Sequence, residues 1–233
     1  MNPRLAGLQW LFLDPSLILN ETETEREQRR ILAALLQKRG RPVTQEQVER
    51  AWMAAISAAQ PQHPLLGAAR ALAPDPSSAE ALAQEVTRTA RPADTLWAGV
   101  QLALGQLSAT YRVAVVGPYR APGSKARLER FSLKLEFLLL SEESGLSHRM
   151  GPTGKPDGAL FTAALRKVGA PAARALFATD RVDLGVAPAK STGLATAWVR
   201  ITNHKLRHPR NSMETPDVTV TSLRELAGAL SAP

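Results

Sequence analysis

Downstream of Arg91 the chain alternates between short apolar runs and amphipathic stretches, and this pattern leaves few folds open. RVAVVG (112–117), KLEFLLLS (134–141), RALFAT (174–179) and LATAWVRI (194–201) read as buried strands. Between them, ADTLWAGVQLALGQLSATY (93–111), SKARLERFSL (124–133), DGALFTAALRKVG (157–169) and VAPAKSTG (186–193) read as helices, the last two closing on Gly169 and Gly193. DVTVTSLRELAGAL (217–230) reads as a short strand followed by a helix. Alternation of this kind builds a parallel sheet covered by helices on both faces.

One further strand stands apart. LQWLFL (8–13) is short and wholly apolar, as a central parallel strand is. About 70 residues of helical text separate it from the other strands. ETETEREQRRILAALLQKRG (21–40) has acids in its first turns, where the helix dipole favours them, and a glycine at its end. TQEQVERAWMAAISAAQ (44–60) opens with Thr44 and Gln47 in capping-box spacing. PQHPLLGAARALAPDP (61–76) is broken by prolines and reads as a connector holding at most a short helix, and SSAEALAQEVTRTA (77–90) reads as a third long one. The expected organisation is a Rossmann-like α/β core formed by residues 1–20 and 92–233, with an all-helical cap, residues 21–91, inserted after the first strand. Trp52 and Trp97 are expected to pack in the cap and at the hinge.

Composition removes several classes of function. The 233 residues contain no cysteine, which excludes disulfides, thiolate metal sites and cysteine nucleophiles. Of the four histidines, His63, His148, His204 and His208, none has H-x-x-x-H spacing within a helical pattern, so His204 and His208 read as loop residues. No apolar run approaches the ~20 residues of a membrane span, and MNPRLAG does not resemble a secretory leader, so a cytoplasmic location is expected. The net charge is +8. Its basic residues are mostly interleaved with acids, except in RITNHKLRHPR (200–210), which reads as a solvated loop or as a contact for a polyanion such as nucleic acid. GLSHRMGPTG (145–154) is glycine-rich but lacks the G-K-[ST] of a nucleotide-binding loop.

Ligands of open α/β sheets sit beyond the carboxyl ends of the strands. The first strand ends in Asp14, the second in Gly117-Pro118 and the fourth in Asp180, and Lys155 precedes the helix that begins near residue 157. Two carboxylates on one sheet edge suit Mg²⁺, and a lysine beside them would orient an anion. Each also has a plainer reading. Asp14 could cap the turn at Pro15, Lys155 could be a solvated loop lysine, and Asp180 could hold a turn.

LFLD (11–14), the helical block, RVAVVG, LEFLLLSEESG, GKPDGALFTAALRKVG and ALFATDRVDLGVAPAKSTGLATAWV, in this order, resemble the haloacid dehalogenase-like (HAD) superfamily, most of whose members are phosphatases. The resemblance implies a HAD-like core with a helical cap. It implies that Asp14 is a nucleophile forming an aspartyl-phosphate, that Lys155 contacts the phosphoryl group, and that Mg²⁺ is held by Asp14, the Ser16 backbone carbonyl, Asp180 and a later acid for which Asp183 is the candidate. Ser16 and Gly117 occupy the family's substrate-binding positions.

The departures are as informative. The family begins D-x-D-G-T, and here Ser16 replaces the general acid while Leu17 and Ile18 replace Gly-Thr. Gly117 lacks the hydroxyl the family places there, and the second metal-site acid falls near Leu184 or Gly185. Dehalogenase and phosphonatase branches also lack the second Asp, but they retain the Gly-Thr. An absent acid/base costs about 10²–10⁴-fold and an absent transition-state donor about 10²–10³-fold, though not additively. The resemblance therefore implies a weak or inactive relative serving as a binding or regulatory module. The alternative is an active Mg²⁺-dependent phosphatase acting on a small phosphorylated molecule through Asp14.

Overall fold

The computed structural model describes residues 3–57, 63–91, 93–117, 124–141, 157–201 and 208–231. The chain divides into two compact units, one of residues 1–19 and 96–233 and the other of residues 20–95.

The first unit is built on six parallel strands: β1 (Trp10–Leu13), β4 (Arg112–Gly117), β5 (Leu138–Leu140), β6 (Ala175–Thr179), β7 (Ala195–Val199) and β8 (Val218–Val220). Their spatial order is β5-β4-β1-β6-β7-β8, so β1 is central and the connections run outward from it on both sides. This is the doubly wound order, whose switch point lies at the carboxyl end of β1. Two further short strands, β2 (Leu19–Asn20) and β3 (Thr95–Leu96), pair with each other where the chain passes between the units.

Side-chain alternation sorts the sheet into two cores. Leu11, Leu13, Val113, Val115, Leu176 and Ala178 face one layer, formed with α5 (Val100–Ser108) and α9 (Leu223–Ser231). Trp10, Phe12, Ala114, Val116, Ala175 and Phe177 face the other, where α7 (Ala159–Val168) contributes Leu160, Phe161 and Ala164. The Phe161 and Phe177 rings meet edge-on with centroids 4.6 Å apart. All four residues of β1 are buried, which requires an apolar run without alternation. Gly169 ends α7 at φ 64°, a left-handed cap natural to glycine.

The second unit holds α1 (Thr22–Lys38), α2 (Gln45–Ser57), α3 (Pro64–Leu72) and α4 (Pro76–Thr89) around a core of Ile31, Leu32, Leu36, Val48, Trp52, Leu65, Leu82 and Val86. The capping box forms reciprocally, with the Thr44 N–H donating to Gln47 Oε1 at 2.7 Å and the Gln47 N–H donating to Thr44 Oγ1 at 3.2 Å. No helix among the described residues is long and apolar enough to cross a membrane.

Several expected boundaries shift. The proline-broken stretch 61–76 contains the nine-residue helix α3, because Pro64 occupies a first-turn position where it needs no N–H. The helix expected over 124–133 ends at Glu129 as α6 (Ser124–Glu129), and the following strand begins only at Leu138. Ser132, at φ 49°, marks the turn between them. The helix expected at 186–193 is α8 (Ala187–Ser191), preceded by a π turn over Val182–Val186.

Candidate functional site

Asp14 lies immediately beyond β1, at the switch point of the sheet. Its N–H donates to Ala178 O at 2.9 Å, extending the β1–β6 pairing by one residue. The backbone then leaves the strand for a 3₁₀ turn over Pro15–Leu17, with Asp14 as its cap: Oδ1 accepts from the Ser16 N–H at 3.1 Å. The turn-capping role is therefore present in the geometry.

The same carboxylate belongs to a buried polar network. Ser16 Oγ lies 3.0 Å from Asp14 Oδ1 and 2.8 Å from Asp180 Oδ1. With one proton, this hydroxyl donates to one carboxylate at a time and accepts from the other if that one is protonated. Thr179 Oγ1 donates to Asp14 Oδ2 at 3.1 Å and accepts from the Arg181 N–H at 3.1 Å. Asp14 is 4% exposed and Asp180 3%. Burial, followed by the negative charge of Asp180, pushes the Asp14 carboxyl from 3.8 up to about 7, against the opposing hydrogen bonds from Ser16 and Thr179.

The remaining positions in the resemblance fare differently. Gly117 ends β4, and a Cβ there would stand 2.2 Å from Pro15 Cδ, so the Pro15 ring takes the space a serine or threonine would need. The Ser16 carbonyl, the implied backbone ligand, accepts the Trp97 indole N–H at 2.9 Å. Asp183 faces Arg181, whose Nε and Nη2 donate to its two oxygens at 2.9 and 3.0 Å. A Cβ on Gly185 would lie 2.5 Å from the Thr179 hydroxyl oxygen. Lys155 lies outside the described residues, as does His204. Ser141, just beyond β5, buries a hydroxyl with no hydrogen-bond partner among the described residues.

The fit to Mg²⁺ can be judged from these contacts. The ion binds oxygen, keeps several waters and requires near-octahedral space. Asp14 and Asp180 supply suitable oxygens, but the Ser16 hydroxyl lies between them and both are almost wholly buried. The carbonyl is engaged by Trp97 and Asp183 by Arg181. No group of three acids or histidines able to hold a metal occurs among the described residues. As arranged, these residues do not fit a hydrated Mg²⁺.

The basic stretch 200–210 is described only at its ends. The Arg200 guanidinium lies 5.4 Å from the Trp198 ring centroid, and His208 meets the same ring edge-on at 5.9 Å. Arg210 pairs with Glu214 at 2.8 Å, so an acid just outside the stretch engages one of its cations.

Sequence reasoning missed Thr179, Pro15, Trp97 and Arg181 as participants. Thr179 adjoins Asp180 and Pro15 adjoins Asp14, so strand-end position alone could have flagged both. Arg181 adjoins Asp180 as well; Trp97 had no such signal.

Comparison with known proteins places these features in context. The family model described as HAD-hydrolase-like matches residues 152–226. Over 89 residues the chain is 29% identical to a glyceraldehyde 3-phosphate phosphatase of Methanopyrus kandleri, covering 38% of this chain and only 35% of the relative. Solved structures agree over the whole length. A HAD-hydrolase from Bacillus subtilis bound to magnesium superposes with a TM-score of 0.73 at 16% identity, covering 97% of this chain and 99% of that one. A HAD phosphatase from Thermococcus onnurineus gives 0.64 at 16% identity, covering 96% and 98%. A 2-haloacid dehalogenase from Pseudomonas syringae gives 0.61 at 20% identity, also covering 96% and 98%. The chain thus shares its fold over its length with haloacid dehalogenase-like proteins, and over residues 152–226 its sequence is similar to that superfamily.

Proposed function

We propose that this chain is a phosphatase-type HAD protein whose site supports weak turnover or none, and that it serves as a binding or regulatory module. The observation that carries this reading is the state of Asp14. A carboxylate attacking phosphorus needs a free, ionised oxygen aligned about 3–3.5 Å from it. Both oxygens of Asp14 instead accept protein hydrogen bonds, and burial raises its pKa to about 7. Ser16, where a general acid is required, has a hydroxyl that does not ionise near neutrality.

The test is a panel of phosphomonoesters assayed with Mg²⁺ from about pH 5 to pH 9, with Asp14→Asn as control. The expected result is a rate at or only slightly above that of the control. Turnover at an ordinary enzymatic rate, about 1 s⁻¹ or more, that is lost in Asp14→Asn with the fold intact overturns the reading.

A second reading has one observation in its favour, the similarity to the glyceraldehyde 3-phosphate phosphatase of Methanopyrus kandleri. In that reading Asp14 attacks a small phosphorylated substrate, Lys155 orients the phosphoryl group, and Asp14, the Ser16 carbonyl and Asp180 hold Mg²⁺ after local rearrangement. Glyceraldehyde 3-phosphate therefore belongs on the panel. The stretch 200–210 is the candidate polyanion contact, tested by a gel shift that is lost when Lys205, Arg207 and Arg210 are neutralised.

A further inference from the structure

We propose that the polar centre at the carboxyl edge of the sheet is closed to cations by two interlocked pairs of positions, Pro15 with Gly117 and Thr179 with Gly185, with the Ser16 hydroxyl bridging Asp14 and Asp180 in place of an ion. This deepens the degenerate-site reading and rests on it for the statement that the centre is not used in turnover.

The first pair follows from sheet register. Leu13 lies opposite Val115, so two residues further Pro15 comes beside Gly117. A Cβ at position 117 would meet Pro15 Cδ at 2.2 Å and Cγ at 2.5 Å. A proline ring cannot swing aside, because its φ is fixed by the ring. The bulk that would stand on β4 in a phosphate-binding site here stands on the β1 turn, and the hydrogen of glycine makes room for it.

The second pair has the same form. A Cβ at position 185 would stand 2.5 Å from both Cγ2 and Oγ1 of Thr179, and 2.8 Å from its Cβ. Thr179 is β-branched and stiff at χ1, and its hydroxyl is held at both ends, donating to Asp14 and accepting from the Arg181 N–H. An acid at position 185 would require Thr179 to be truncated, which would free Asp14 Oδ2.

Between the pairs, Ser16 joins the two carboxylates at 3.0 and 2.8 Å, and its carbonyl is satisfied by Trp97. Both oxygens of Asp14, Asp180 Oδ1, and the hydroxyl and carbonyl of Ser16 thus each have a protein partner. Restoring a hydroxyl residue at 117 or an acid at 185 would create a clash, so reopening either position requires changing both members of its pair.

Two measurements test this. The first is cation binding by the intact protein, read by Mg²⁺ calorimetry and by Tb³⁺ emission sensitised through Trp97. The expected result is no saturable signal at millimolar ion. Binding that is unaffected by Asp180→Asn lies elsewhere and leaves the proposal standing; saturable binding lost in Asp180→Asn overturns it. Such binding without phosphatase turnover would sink this inference and leave the proposed function intact. Turnover at Asp14 without cation binding would do the reverse.

The second is a thermal double-mutant cycle. Gly117→Ser should lower Tm by roughly 5 °C, and in a Pro15→Ala background by less than half as much. Equal losses in the two backgrounds overturn the interlock. Should Gly117→Ser alone fail to fold, the double variant decides: recovery of folded protein supports the pair, and continued failure refutes it.

Discussion

Asp14→Asn should stabilise the protein, and do so more at pH 8 than at pH 5. Burial and the neighbouring Asp180 raise the Asp14 carboxyl from 3.8 to about 7. Below pH 3.8 it is protonated in both the folded and the unfolded chain, so it takes nothing from stability. Between 3.8 and about 7 the folded state keeps a proton that the unfolded state releases, so stability falls as pH rises through this window and is level above it. At 1.36 kcal/mol per pH unit, the accumulated loss is about 4 kcal/mol at pH 8 and about 1.5 kcal/mol at pH 5.

An asparagine removes this burden. Its carbonyl can still accept from the Ser16 N–H, and its amide can donate to Thr179 Oγ1. The contact with the Ser16 hydroxyl weakens, at a cost of about 1 kcal/mol. The net gain is therefore about 3 kcal/mol at pH 8 and about 0.5 kcal/mol at pH 5. Urea unfolding of both proteins at the two pH values reads the difference directly, since ionisations shared by the two chains cancel. A variant less stable than the parent at pH 8, or one whose advantage does not change with pH, would show that Asp14 is not held as described.

Three further perturbations probe the frame around the site. Phe177→Ala empties a wholly buried place against Phe161 and should cost 3–5 kcal/mol by chemical denaturation, with a value under about 1 kcal/mol contradicting the packing. Gly67→Ala puts a Cβ 2.4 Å from that of Ala55 where α2 and α3 pack. It should destabilise by about 1–2 kcal/mol despite alanine's better helix propensity, and Ala55→Gly should rescue it. Asp75 caps α4 by accepting from the Ser78 N–H and from the hydroxyls of Ser77 and Ser78, which hold its carboxyl at about 2. Asp75→Ala should lower Tm at neutral pH, and the loss should shrink as pH falls from 3.8 towards 2, because the unfolded parent takes up a proton in that window while the folded cap stays charged.

Much of the fold was legible because its signals are local and periodic. The unbroken apolar run of β1, the alternation after Arg91, the Thr44–Gln47 box and the helix stop at Gly169 each reflect a single physical requirement. The proline-rich stretch 61–76 misled because proline breaks a helix interior but is at home in its first turn, where Pro64 sits. The site was half legible. Strand ends place Asp14, Gly117 and Asp180 on one edge, and that needs only element order. The closure of that edge could not be read in the same way. That Pro15 fills the space beside Gly117, and Thr179 the space beside Gly185, depends on register between segments about 100 residues apart in one case and on a π turn in the other. The engagement of Asp183 by Arg181 is short-range, but i to i+2 pairing on such a turn has no helical or strand periodicity to reveal it.

The account stands or falls on whether Asp14 can take a phosphoryl group. Incubating the protein with acetyl phosphate and Mg²⁺, then recording its intact mass after acid quench, tests this without knowledge of the substrate. The predicted result is the unmodified mass for the parent and for Asp14→Asn alike. A phosphoryl adduct on the parent, absent from Asp14→Asn and mapped to Asp14, would contradict it.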